Sequence, residues 1–275
     1  MKPFIRWVGG KRKHVPRIKE LMPKTYVDYY EPFVGGGAVL FELQPKTAII
    51  NDVNNELMTA YKVLSDPVQC SMLIEHLASW DKEKSEEFYL SLRAEDTTGW
   101  DPFAIAARFI FLNRTCFNGL YRLNKEGKFN VIYDKRKLLP AYNAYDESTI
   151  NSVSSYLMQN NIICLNTSNY SEVIDNAKDG DFILIDPPYD KYENQNNFSE
   201  YGNTEFTKDD QINLALKLWE ISSKKKVKIM IFNYNTPLIR ELYDGMFFHS
   251  PTAELTLTQE GAEEIIITNY NPMNE

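Results

Sequence analysis

Phe182-Ile183-Leu184-Ile185-Asp186-Pro187-Pro188-Tyr189 is a short apolar run that stops at an acid, two prolines and a ring. Proline lacks a backbone donor and disfavours helix in the residue before it, so a strand over this run must end at Asp186. A continuous apolar run is the mark of a parallel strand buried on both faces, with functional groups at its carboxyl end. Asp186, the Pro187 carbonyl and the Tyr189 ring are then expected to project into one crevice. The carboxylate and the carbonyl only accept hydrogen bonds, and the ring offers a stacking face. Together they suit a flat group carrying an NH2, such as an adenine or cytosine edge. The plain alternative is a strand that ends in an inert Pro-Pro turn.

Upstream, the apolar and aromatic stretch from Tyr26 to Phe33 reads as a strand that runs into Val34-Gly35-Gly36-Gly37, with a helix start over Ala38 to Leu43. Strand, glycine loop and helix let a backbone approach a nucleotide-like ligand closely. The dinucleotide fingerprint needs a further glycine deeper in the helix, and Ala38-Val39-Leu40 supplies none, so a pyrophosphate is not the favoured guest. The next strand, Ala48-Ile49-Ile50, ends in Asn51-Asp52. An acid at a second strand tip, roughly 20 residues after the glycines, suits ribose hydroxyls; a helix cap is the other reading of Asp52. At the N-terminus Phe4-Ile5-Arg6-Trp7-Val8-Gly9-Gly10-Lys11 lacks the Gly-Lys-Ser/Thr ending of a Walker loop. Lys11, just beyond a double glycine, is instead placed to meet a carboxylate or a ligand.

Helices are expected over Asn54 to Leu64, Ala104 to Leu112, Thr149 to Gln159, Ser171 to Lys178 and Pro237 to Tyr243, and strands over Ile162 to Leu165 and Val227 to Phe232. Thr207 caps a further helix with the period Ile212, Ala215, Leu216, Trp219. Phe247-Phe248 and Glu264 to Tyr270 read as closing antiparallel strands, and the polar segment Lys191 to Thr204 as a loop beside the site. Between Asn113 and Tyr133, Asn118-Gly119 and Lys125-Glu126-Gly127-Lys128 are turn signals flanking alternating stretches, a hairpin. Arginines and an aromatic at a hairpin tip suit DNA, where Arg reads guanine and an inserted ring fills the gap left by a displaced base.

The fold class is therefore α/β: a Rossmann-like, mostly parallel sheet with an antiparallel C-terminal strand, formed by residues 1–56 and 146–275, plus an inserted helical and hairpin unit over 57–145. The 275 residues suffice for a large core, and no apolar run approaches a membrane span. Met1-Lys2-Pro3-Phe4 shows no secretory signal. Cys70, Cys116 and Cys164, and His14, His76 and His249, lie too far apart for a disulfide framework or a zinc spacing, so no metal is expected and a cytoplasmic location is. A net charge of -8 argues against a general nucleic-acid coat but leaves room for local basic clusters at Lys11-Arg12-Lys13, Lys135-Arg136-Lys137 and Lys224-Lys225-Lys226.

Taken together these stretches resemble the α group of Dam-type DNA adenine-N6 methyltransferases, in order as well as wording and over nearly the whole chain. Phe4 to Lys11 looks like the family's first motif, Glu31 to Gly37 its S-adenosylmethionine loop and Asn51-Asp52-Val53-Asn54 its ribose acid. Asn113 to Arg122 and Phe129-Asn130-Val131 are similar to its recognition hairpin, Asp186 to Tyr189 to its catalytic motif, Asn197-Phe198 to Phe206-Thr207 to the loop that follows, and Ile265 to Tyr270 to its last strand. The resemblance implies S-adenosyl-L-methionine as cofactor, with S-adenosyl-L-homocysteine as product, held by Trp7, Lys11, Phe33, Gly35, Gly37, Asp52, Asn169, Tyr170 and Asp186. It implies catalysis by Asp186, Pro187, Pro188 and Tyr189, and contact with double-stranded DNA through Arg114, Phe117, Asn118, Arg122 and Lys135. A monomer acting near the nucleoid suffices for one extruded adenine.

GATC is the leading target. Ile132 and Asp134 stand where GATC-reading members commonly have proline and glycine, and the acidic Thr256 to Glu264 stands where they carry a basic segment. Two other readings stay open: methylation of an amino group on RNA or on a protein glutamine, whose enzymes usually place Asn at position 186, and a catalytically silent DNA-binding regulator.

Overall fold

The computed structural model describes residues 1–138, 142–165, 169–190, 206–251 and 263–274. The expected loop over Lys191 to Thr204, the Asn197-Phe198 motif and all but the last two residues of the acidic run from Thr256 to Glu264 therefore lie outside the described residues. Seven strands form one sheet: β1 (Tyr29–Glu31), β2 (Thr47–Ile50), β3 (Asn161–Cys164), β4 (Phe182–Ile185), β5 (Lys228–Tyr234), β6 (Phe247–His249) and β7 (Glu264–Thr268). Their order is β3-β2-β1-β4-β5-β7-β6. β7 runs antiparallel to both of its neighbours, and every other pairing is parallel. The expected mixed sheet with an antiparallel closing strand is what the chain forms.

The apolar run that opens β4 shows why. All four of its residues are buried. Phe182 and Leu184 join the core on one face of the sheet, Ile183 and Ile185 the core on the other. β5 repeats the alternation with Met230 and Phe232 against Ile229 and Ile231. Each such side chain contributes on the order of 1.5–3 kcal/mol on burial, so the register cannot slip by one residue without exposing it. The first face is covered by α1 (Val15–Leu21), α2 (Leu40–Leu43), α3 (Asn55–Leu64), α4 (Pro67–Glu83), α5 (Glu86–Ala94), α6 (Pro102–Thr115) and α7 (Glu147–Gln159). The second is covered by α8 (Tyr170–Asp175), α9 (Lys208–Lys224) and α10 (Pro237–Leu242). Within the 57–145 segment, buried residues of α4, α5, α6 and the following ribbon share one continuous core with the first face.

Two local expectations differ from the structure. The stripe Ile212, Ala215, Leu216, Trp219 shares only Ala215 with the buried face of α9: Leu216 is 63% exposed and Trp219 38%, whereas Gln211, Leu214, Ala215, Leu218 and Ile221 are buried. The true stripe is rotated by about one residue because it contains a glutamine, which reads as polar. The hairpin between Asn113 and Tyr133 is a ribbon rather than a ladder, joined by the bridges Cys116–Tyr133 and Leu123–Phe129. Its two turns are as expected, with Asn118 at φ 55, Gly119 at φ 67 and Gly127 at φ 76.

Candidate active site

From β1 the chain proceeds to β2 and β3 on one side, while β4 and β5 lie on the other, so the sheet opens a crevice at the carboxyl ends of β1 and β4. A cleft of about 1760 Å³ lies there, lined by Glu31 from the end of β1, by the glycine loop and by Asp186 to Tyr189. The Asp186 side chain is 20% exposed into it, so the acid is neither sealed in the core nor remote from the loop. Lys11 Nζ sits 2.9 Å from Asp186 Oδ1, donates to the Gly9 carbonyl at 2.6 Å, and lies 4.9 Å from the Tyr189 ring centroid. The lysine after the double glycine thus meets a carboxylate. Burial pushes the Asp186 carboxyl up, and Glu264 adds to this, against the opposing charge of Lys11.

Glu264, at the start of β7, also lines the cleft. His14 Nε2 is 2.8 Å from its Oε2 and Lys13 Nζ 3.8 Å. Burial pushes this carboxyl up, but the His14 hydrogen bond and the charges of Lys11, His14 and Lys13 hold it below its ordinary range. Glu31 is the reverse case: burial, opposed by the Tyr29 hydroxyl donating at 2.8 Å, pushes it up to about 8. None of these partners is signalled by spacing in the sequence.

The glycine loop is shaped by close contacts. Gly35 has φ 48, and a Cβ there would stand 2.7 Å from the Trp7 ring. Its N–H donates to Asp52 Oδ2 at 3.0 Å, while Asp52 Oδ1 accepts from Asn54 N at 3.0 Å. Burial raises the Asp52 carboxyl to about 6 despite these donors. The helix cap here is Asn54, accepting from Leu57 N, which removes that role from Asp52. Phe33 and Tyr170 meet at 5.3 Å between ring centroids, and Phe206, absent from the sequence-derived set, completes an aromatic group at 6.2 and 6.3 Å from them. Asn169 is exposed, caps α8 by accepting from Ser171 N, and does not line the cleft. Gly37 stands behind the wall, where a Cβ would meet the Tyr61 hydroxyl at 2.5 Å and Phe41 at 2.7 Å; its smallness serves packing.

At the ribbon tip Phe117 is 41% exposed. Arg136 lies 5.7 Å from its ring and donates to Asn118 Oδ1 at 3.3 Å, while Asp134 grips the same guanidinium through both carboxylate oxygens at 2.8 Å. Arg136, not Lys135, is therefore the basic residue grouped with Phe117 and Asn118; exposed Lys135 pairs with Glu86 on α5 at 3.2 Å. Arg122 is exposed along the ribbon and donates to Asn130 at 2.8 Å. Arg114, in the last turn of α6, is half-buried. Tyr121 ties this ribbon to the cleft: its ring stacks on Trp7 at 5.6 Å and its hydroxyl donates to Glu56, which also receives Arg108 at 2.9 Å.

Among the described residues no helix is long and apolar enough to cross a membrane. The family model described as D12 class N6 adenine-specific DNA methyltransferase matches residues 7–257. The type II methyltransferase M1.LlaDCHI of Lactococcus lactis subsp. cremoris is 38% identical over 98% of this chain and 96% of its own length. The type II methyltransferase M.MjaIII of Methanocaldococcus jannaschii is 36% identical over 98% of this chain and 99% of its own. A DNA adenine methylase of Vibrio cholerae serotype O1 is 29% identical over 94% and 91%.

Proposed function

The chain belongs to the D12 class of N6 adenine-specific DNA methyltransferases, and from that membership we propose how it acts: it methylates N6 of an adenine extruded from a short site in duplex DNA. The observation that carries the reading is the sharing of one cleft by Asp186 to Tyr189, the Gly35 loop and Asp52. S-adenosyl-L-methionine is the donor and S-adenosyl-L-homocysteine the product. The residues present fit that group: a backbone cradle at Gly35 closed by Trp7, an acid held at the strand tip, and the Phe33, Tyr170 and Phe206 rings for a flat base. When bound, the donor supplies an electrophilic methyl group.

The chain's own residues prepare the acceptor. An adenine amino nitrogen is a weak nucleophile because its lone pair is delocalised into the ring. Asp186 and the Pro187 carbonyl accept its two N–H groups and turn the lone pair out of conjugation. Asp186, its carboxyl pushed up by burial, takes the proton that the nitrogen sheds. Orienting two bound partners lowers a barrier by up to roughly 7–11 kcal/mol in the best intramolecular cases. Extruding the base costs on the order of a few kcal/mol, and stacking on Tyr189 returns about 1–3 kcal/mol.

The 57–145 segment recognises the target, with Phe117 entering the gap, Asn118, Arg122 and Arg136 reaching base edges, and Arg114 and Lys135 serving the backbone. GATC is the leading site, and a cytoplasmic monomer suffices. The test is sequencing of N6-methyladenine on a plasmid carried with the gene in cells that lack adenine methylation. One short motif, methylated throughout, is expected; a plasmid without methyladenine would overturn the reading, and a motif other than GATC would replace only the target.

A further inference from the structure

Behind the Asp186–Tyr189 turn lies a chain of buried polar side chains that no step above uses. Gln211 on α9 is 1% exposed and Asn233, near the end of β5, is 0%. Gln211 Nε2 donates to the Pro188 carbonyl at 2.8 Å, and its Oε1 accepts from Asn233 Nδ2 at 3.1 Å. Asn233 Oδ1 accepts twice, from the backbone N–H of Asp190 and from that of Tyr234, each at 2.9 Å. The Asp190 carboxylate accepts from the Thr236 hydroxyl, which itself caps α10 by accepting from Ile239 N.

A buried carboxamide is costly unless its donors and acceptors are matched, and a matched network fixes its members in one arrangement. Packing alone between α9 and β5 needs no amide. The main-chain groups that Gln211 and Asn233 hold share one neighbourhood. Pro188 and Asp190 flank Tyr189, and the Tyr234 ring meets the Tyr189 ring edge-to-face at 4.9 Å. Both rings line the cleft.

We propose that Gln211 and Asn233 are positioning residues of the methyl-transfer site, holding the main chain on both sides of Tyr189 and so setting where its ring and the Pro187 carbonyl stand against the bound base. This rests on the cleft being the transfer site. The pair acts on the rate of transfer at saturation, not on affinity for donor or duplex.

Three variants test it. Gln211→Glu keeps the acceptor for Asn233 and loses the donor to Pro188. Asn233→Asp keeps both acceptor bonds and loses the donor to Gln211. Gln211→Met keeps the volume and loses every bond. Single-turnover transfer of labelled methyl groups is measured beside the fluorescence of 2-aminopurine placed at the methylated position of the duplex. Each variant is expected to transfer about 100-fold more slowly, the scale of a misplaced reacting group, with donor and duplex affinities within about threefold of wild type. The double variant Gln211→Met/Asn233→Asp is expected to lose no more than about threefold beyond either single one, since both break the same relay. Folded variants that transfer within about threefold of wild type, or whose loss lies in KM alone, overturn the proposal. If Gln211→Met does not fold, the two variants that keep part of the relay carry the test. A wild type that neither transfers nor raises the fluorescence defeats the reading of the cleft itself, which separates the two failures.

Discussion

At the cleft, polar and charged groups meet one another: Lys11 holds Asp186 at 2.9 Å, His14 Nε2 lies 2.8 Å from Glu264, and Asp52 accepts two backbone donors. At the ribbon tip, by contrast, Phe117 is 41% exposed and Arg122 and Lys135 stand in solvent, on a backbone joined by isolated bridges. The first region hangs from strands buried on both faces, so its groups are fixed by the core. The second is held by turns and side-chain bonds on a backbone without a continuous ladder. On the proposed function, chemistry that tolerates little displacement sits on the sheet, and recognition on the ribbon. The Trp7–Tyr121 stack is the seam between them.

If this division holds, variants on the two sides fail differently. Tyr189→Ala is expected to slow transfer by about 100-fold, the loss of a stacking worth roughly 1–3 kcal/mol together with some displacement of the base. Its duplex affinity should change little, and quench-flow measurement beside a binding titration separates the two. On the ribbon, Arg136→Ala is expected to cost about 1–3 kcal/mol of discrimination at one base pair while leaving transfer on the correct site near wild type. Competition between target and single-substituted duplexes reads this out, and a fall in transfer rate with unchanged discrimination breaks the division. pH probes the cleft from another direction. Burial raises Asp52 to about 6, so its carboxylate, the form that accepts ribose hydroxyls on the proposed function, prevails above that pH and is lost below it. Donor affinity is expected to fall as pH drops through about 6, by up to about tenfold per unit, and to be flat across that range in Asp52→Asn. Smallest of all, Lys135→Ala, at an exposed pair with Glu86, should shift duplex affinity by no more than about threefold at moderate salt.

The sheet was legible because burial on two faces forces continuous apolar runs: Phe182 to Ile185 and Val227 to Phe232 announce themselves, as do the glycines and the Asn51-Asp52 tip. Distance hid the rest. Glu264 and His14 meet only because β7 inserts beside β5, which no local pattern records. In Lys135-Arg136-Lys137 the three residues read alike, yet a 3-10 turn sends them to Glu86, to Asp134 and Asn118, and to the Tyr142 ring at 4.0 Å. Gln211 misled in the other direction, a polar letter on a buried face, and it is there that the relay toward Pro188 begins.

The central claim is that Asp186 grips the amino group of an extruded adenine. Transfer of labelled methyl groups to duplex DNA by Asp186→Ala, with donor and duplex both saturating and folding verified by thermal denaturation, tests it most directly. The check on folding matters because the change leaves the Lys11 ammonium without its carboxylate, a loss worth about 3–5 kcal/mol for a buried pair. A rate at least about 10³-fold below wild type is expected, with the wild-type label recovered on adenine N6; an Asp186→Ala enzyme within about tenfold of wild type, or label on any other atom, contradicts the account.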